Sequence, residues 1–114
     1  MKKRAIFALV MAFATTAAAH SRVDTTTPPD GATVAEIPAD ISLNFARDIR
    51  LTRVDMVGQD AQPIRLDLGV QTHFGRAFIL PVPGGTGKGT YRIEWRGLGA
   101  DGHAMQGGFS FTVE

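Results

Sequence analysis

The 114-residue chain contains three histidines, His20, His73 and His103. One of them follows an aspartate at a spacing of two, in the stretch GADGHAMQGG at residues 99–108. In extended backbone, residues i and i+2 face the same way. Asp101 and His103 would then present a carboxylate oxygen and an imidazole nitrogen on one side. The same stretch has a second reading, because Asp-Gly between two strand-like runs is a hairpin turn signal. Turn and ligand pair are both open at this point.

His20 acquires chemistry from what precedes it. Residues 1–19, MKKRAIFALVMAFATTAAA, have a basic head, an apolar run and a small-residue end. This is the pattern of a secretory signal peptide. The apolar run is too short, and too rich in Ala and Thr at its end, for a good membrane span, so no stable membrane insertion is expected. Ala17-Ala18-Ala19 satisfies the A-x-A rule with cleavage before His20, and a cut one residue earlier satisfies it too. The predicted organisation is a signal peptide over 1–19 and one exported domain over 20–114. A histidine at a processed N-terminus supplies two nitrogens, its α-amine and imidazole Nδ1. Their reference pKa values of about 8 and about 6.5 let both deprotonate near neutral pH. Together with Asp101 and His103 the set is three nitrogens and one oxygen. A tetragonal N/O set suits Cu(II), which also tops the divalent affinity order. His20, Asp101 and His103 are therefore the candidate metal ligands.

Composition narrows the alternatives. There is no cysteine, so zinc-finger, iron–sulfur and blue-copper thiolate sites are excluded. An exported domain without disulfides must rely on its core. The predicted signal peptide holds Lys2, Lys3 and Arg4 and no acid. The exported part then carries nine basic against eleven acidic side chains, a formal −2. Its arginines are scattered without a run or stripe, so no nucleic-acid partner is expected. The stretch PGGTGKGT at 83–90 lacks P-loop spacing and precedes a strand-like run rather than a helix. No G-x-S-x-G elbow occurs, and no carboxylate pair stands out for hydrolysis. His73 reads as an exposed residue at a strand start, and Met56 as core. Met105 lies near the candidate site and reads as packing first, with a weak thioether contact as the alternative. With no methionine cluster, a soft Cu(I) site has little support.

Strands must position these residues. ISLNF (41–45), YRIEWR (91–96) and FSFTV (109–113) alternate apolar and polar residues with period two, the mark of strands with one buried face. VDTTT, LTRVDMV, IRLDL and HFGRAFIL are further candidates. Pro- and Gly-rich stretches at 28–32, 37–40, 58–63 and 81–89 fall between the runs. About seven short strands with regular turns predict an all-β, Greek-key β-sandwich or barrel, immunoglobulin-like or cupredoxin-like. Its core is expected to hold Phe45, Phe78, Trp95, Phe109 and Phe111.

The closing segment YRIEWRGLGADGHAMQGGFSFTV resembles that of the CopC-type periplasmic copper-resistance proteins. The shared pattern is a Tyr-x-Ile-x-Trp strand, an Ala-Asp-x-His element, a Gly, and a Phe-x-Phe-x-Val strand. The opening AAAHSRVDTTTPPDGATVAEIPADISLNF resembles their start. The resemblance implies a β-sandwich that binds Cu(II) in the periplasm through His20, Asp101 and His103, without catalysis. It also implies an inner-membrane partner of the CopD type. Some members hold Cu(I) in a methionine-rich loop that is absent here, which makes this chain look like a Cu(II)-only member. Where the family has an acidic Ser-Glu after the Leu-x-Phe strand, this chain has Ala46-Arg47-Asp48. The leading expectation is a periplasmic Cu(II) carrier or buffer in copper resistance or homeostasis, not an enzyme, and two other classes compete with it. One is an oxidative enzyme with a copper brace, as in lytic polysaccharide monooxygenases. The other is an immunoglobulin-like interaction module without metal.

Overall fold

The computed structural model describes residues 23–59, 62–70, 73–84 and 87–114. His20 and the predicted signal peptide lie outside the described residues. Every regular element described is a strand: β1 (Val23–Thr27), β2 (Ala32–Val34), β3 (Asp40–Val57), β4 (Ile64–Arg65), β5 (Gly75–Pro81), β6 (Gly89–Gly99) and β7 (Ala104–Val113). The expected all-β sandwich of seven strands is what the chain forms.

The seven are not quite the seven expected. ISLNF and LTRVDMV are two parts of one 18-residue strand, β3. Its first part, Asp40–Asn44, pairs with β5, and Ser42–Phe45 pairs with β1. Its second part, Ile49–Val57, pairs with β6. β3 thus passes from one layer to the other, and the sandwich is a single hydrogen-bonded sheet curled on itself. The main path runs β1-β3-β6-β7-β2, with β4 and β5 also on β3. IRLDL is strand only at Ile64–Arg65. β2 went unforeseen, because its three residues are strand only through parallel pairing with Phe111–Val113 of β7.

One irregularity in β3 keeps its inner face apolar. Ile41, Leu43, Phe45, Ile49 and Leu51 are buried at odd positions, whereas Val54 and Met56 are buried at even ones. The register with β6 shifts between Leu51 and Arg53, so one residue is inserted into the ladder there. Such a bulge moves every later side chain to the opposite face. Without it Arg53 and Asp55 would point into the core.

The core is aromatic where the layers meet. Phe45 stands edge-on to Trp95, with ring centroids 4.9 Å apart at 81°, and edge-on to Phe78 at 5.8 Å. Edge-to-face pairs of this kind add about 0.5–1.5 kcal/mol beyond their buried area. Phe45, Trp95, Phe109 and Phe111 are buried and Phe78 partly so, as expected. Met56 is fully buried, also as expected. The indole of Trp95 lies against its cross-strand partner Gly107. A Cβ there would stand 2.8 Å from indole Cζ2, so only glycine leaves the ring room. At Gly108 a Cβ would come within 2.6 Å of the Ile93 carbonyl oxygen. Close backbone approach explains the Gly-Gly pair in the middle of an otherwise regular strand.

This predicts that Gly108→Ala destabilises the domain by roughly 1–3 kcal/mol, since backbone rather than a flexible side chain must yield. Gly84→Ala, where a Cβ meets nothing within 4 Å, should stay within about 0.5 kcal/mol of the parent. Urea unfolding of the two variants measures the difference.

Candidate metal centre

β6 and β7 form a long hairpin, paired from Gly89↔Val113 to Leu98↔Ala104. At its tip the Gly99 amide donates to the His103 carbonyl at 2.9 Å, and the Gly102 amide donates to the Gly99 carbonyl at 2.9 Å. Gly102 has φ +87°, the left-handed position that three-residue hairpin loops require and that glycine adopts without strain. The Asp-Gly turn signal was therefore correct.

The turn also brings the candidate ligand pair together. Asp101 Oδ1 accepts the His103 backbone amide at 3.0 Å, and Asp101 Oδ2 lies 2.8 Å from His103 Nδ1. The sequence reading brought the two side chains together through extended backbone. The structure brings them together through the turn, with the carboxylate bracketing the following histidine. Both side chains are exposed, 65 % for Asp101 and 81 % for His103. His103 Nε2 keeps no hydrogen-bond partner among the described residues.

The pair tunes itself electrostatically. The hydrogen bond from His103 holds the Asp101 carboxyl below the ordinary carboxylate range, helped by the backbone bond from the same residue. The same side-chain hydrogen bond, with the negative charge behind it, lifts His103 above the ordinary imidazole range. Two arrangements suit such a pair. In one, an ion takes an Asp101 oxygen and a His103 nitrogen directly. In the other, Asp101 holds Nδ1–H and aims Nε2 outward, the carboxylate–histidine–metal geometry. Among the described residues, no group of three or more His, Asp, Glu or Cys side chains converges on one point. Asp101 and His103 thus make two donors, and the third candidate, His20, lies outside the described residues.

The other expected residues fall as follows. His73 is exposed and precedes β5 by two residues. Asp48 is on the exposed outward bend of β3, beside Ile49, which pairs with Gly99. Arg76 Nε donates to its carboxylate at 2.9 Å. Met105 is half-buried, packed on the core, and leans over Gly99. A groove of about 750 Å³ opens between β1 and β7 and does not include Asp101 or His103. A metal held by a few donors needs no cavity of that size, so the groove and the ligand pair are separate features.

His103 should titrate above an ordinary histidine in the metal-free protein, and Asp101→Asn should bring it down. The ion pair exists only with Asp101 ionised and His103 protonated. Its contribution is lost as pH rises through the raised His103 pKa, and again as pH falls through the lowered Asp101 pKa. A two-dimensional NMR titration of the His103 ring reads this directly. An unchanged midpoint in Asp101→Asn would count against the hydrogen bond.

Comparison with known proteins gives the pair a context. The model of the CopC domain family matches residues 23–114. The copper resistance protein C of Xanthomonas campestris pv. juglandis is 30% identical over 104 residues, covering 84% of this chain and 81% of that protein. The crystal structure of CopC from Methylosinus trichosporium OB3b superimposes with a TM-score of 0.70 at 23% identity, covering 83% of this chain and 94% of that one. PcoC, a methionine-rich copper resistance protein from Escherichia coli, superimposes at 0.60 with 26% identity, covering 84% and 100%. The β-sandwich agrees with the family match, which spans every described residue, and the chain belongs to the CopC family.

Proposed function

We propose that this protein is a periplasmic carrier or buffer for Cu(II), exported by a cleaved signal peptide over residues 1–19. The ion is held by the α-amine and imidazole of His20, by Asp101 and by His103. The observation that carries this reading is the preassembled Asp101–His103 pair at the tip of the β6–β7 hairpin. Strand register supports the third residue. Val23 opens β1 opposite Phe45 of β3, and four residues further along β3 Ile49 lies opposite Gly99. The chain therefore enters β1 from the hairpin end of the sandwich. Three residue steps lead from His20 to Val23, a reach of about 10 Å in extended chain.

Copper is the cargo in this reading, and the exposure of Asp101 and His103 suits an ion that must be handed on. Three nitrogens and an oxygen favour Cu(II) over other divalent ions through the affinity order and tetragonal geometry. A CopD-type inner-membrane protein is the partner the family resemblance points to. The enzymatic alternative loses ground on one observation. Trp95 and Tyr91 are buried in the core, so neither offers an aromatic face to a polysaccharide.

Mass spectrometry of the exported protein should give His20 as the first residue. Competition titration should then show one Cu(II) bound tightly by that form. Binding should be far weaker in a form with one extra N-terminal residue, whose His20 amine has become an amide, and in His103→Ala. Protons compete for His103, and its raised pKa makes that competition begin at a higher pH than for a free imidazole. Affinity should therefore already fall as pH drops from neutrality toward 6. Equal affinity in the native and extended forms would remove the amine from the site, and pH-independent binding would remove the histidines.

A further inference from the structure

Along β7 the inward-facing row runs Val113, Phe111, Phe109, Gly107 and Met105. His103 stands one residue before β7, and its carbonyl accepts the Gly99 amide in continuation of the β6–β7 ladder. Met105 closes the core, half-buried, while His103 beyond it is exposed. The thioether leans over Gly99. A Cβ on Gly99 would stand 2.6 Å from Met105 Cε, 3.4 Å from Met105 Sδ and 3.1 Å from Asp101 Oδ1. Sulfur and carboxylate thus border the same small space that glycine leaves open. The last two distances laid end to end put Sδ no more than about 6.5 Å from Asp101 Oδ1. That carboxylate is bonded in turn to His103 through its amide and Nδ1.

We propose that Met105 Sδ is a metal donor at this hairpin, acting with the His103 imidazole to bind a soft monovalent ion, Cu(I). The proposal rests on the reading of Asp101 and His103 as a metal site, and departs from the expectation of a Cu(II)-only protein. A thioether selects Cu(I), imidazole serves copper in either state, and a carboxylate suits harder ions. Met105 adds a sulfur to the nitrogen and oxygen donors at the same hairpin end. Methionine has three rotatable bonds, so its sulfur reaches outward without moving the strand. Asp101 keeps its bond to Nδ1 and leaves Nε2 for the ion. The competing explanation is that Met105 only fills the end of the core.

Leucine at this position retains volume and packing while removing the sulfur. Silver(I), a monovalent soft ion without redox chemistry here, is titrated by competition into the His20-initiated protein and its Met105→Leu variant. Cu(I) is titrated likewise without oxygen. An outer-sphere partner is worth 10–100-fold in affinity, so loss of a direct donor should weaken both ions by about tenfold or more. X-ray absorption of the Cu(I) form should show a copper–sulfur path. Met56, the other methionine beyond the predicted signal peptide, is fully buried, so that path reports Met105. If Met105→Leu folds poorly, selenomethionine in the parent sequence gives the same answer as a copper–selenium path. Equal Ag(I) affinity in parent and variant, or no sulfur path, overturns the proposal. Cu(II) titration of the same two proteins is expected to be unchanged by the substitution. Failure of the parent to bind Cu(II) would sink the Cu(II) carrier reading alone, and Met105-independent Ag(I) binding would sink only the donor role of Met105.

Discussion

β3 has to line both layers of the sandwich with one strand. β1 and β5 hold its first part, and β6 and β4 hold its second. Its side chains must face one shared core throughout, although the strand turns from layer to layer. The bulge between Leu51 and Arg53 reconciles these demands by resetting the phase of alternation. Everything at the hairpin end depends on it. Ile49 and Leu51 meet Gly99 and Gly97 before the shift, and Val54 meets Trp95 after it. Trp95 can then bridge to Phe45 in the other layer. A slip of one residue would turn the β6–β7 ribbon's contacts on β3 inside out.

The hairpin carries this order outward. Ten consecutive cross-strand pairs fix β6 against β7, and the glycines at 107 and 108 let them approach closely where Trp95 needs space. A turn at the end of so well-paired a ribbon has little freedom. Asp101 contributes to that rigidity as well as to chemistry, since both carboxylate oxygens are engaged with His103. The proposed copper site is thus a feature of turn geometry, displayed at the surface and set by a rigid base. The groove between β1 and β7 shows the contrary case, a large opening lined by neither Asp101 nor His103.

Periodicity made most of this fold legible. The alternating runs at 41–45, 91–96 and 109–113 are strands with the expected inner faces, and the Phe and Trp residues chosen for the core are there. Three things escaped it. The continuity of β3 was hidden because Ala46, Arg47 and Asp48 interrupt the alternation on an exposed bend. β2 has no pattern of its own and is strand only because Phe111–Val113 lies beside it. Asp101 and His103 were paired for the wrong reason, since a spacing of two suggests extended backbone while Gly102 in the left-handed region makes a loop. Met105 packs on the core as its sequence reading expected, and the structure adds that its thioether lies over Gly99, close to the Asp101 carboxylate.

By itself the sequence determined which donor types the chain can offer. It has no thiol, it has histidines at 20 and 103, and it has an aspartate two residues before the second. These are properties of side-chain chemistry, which does not wait for folding. It determined the all-β class as well, because period two leaves no helix with a buried face. Only the tertiary structure decided what stands near what. Val23 and Gly99 are 76 positions apart along the chain, and they are brought to the same end by their common neighbour β3. That proximity is a matter of register across a bulge and of closure of one sheet on itself. Local propensity is blind to both, because the interactions that choose them join residues far apart in sequence.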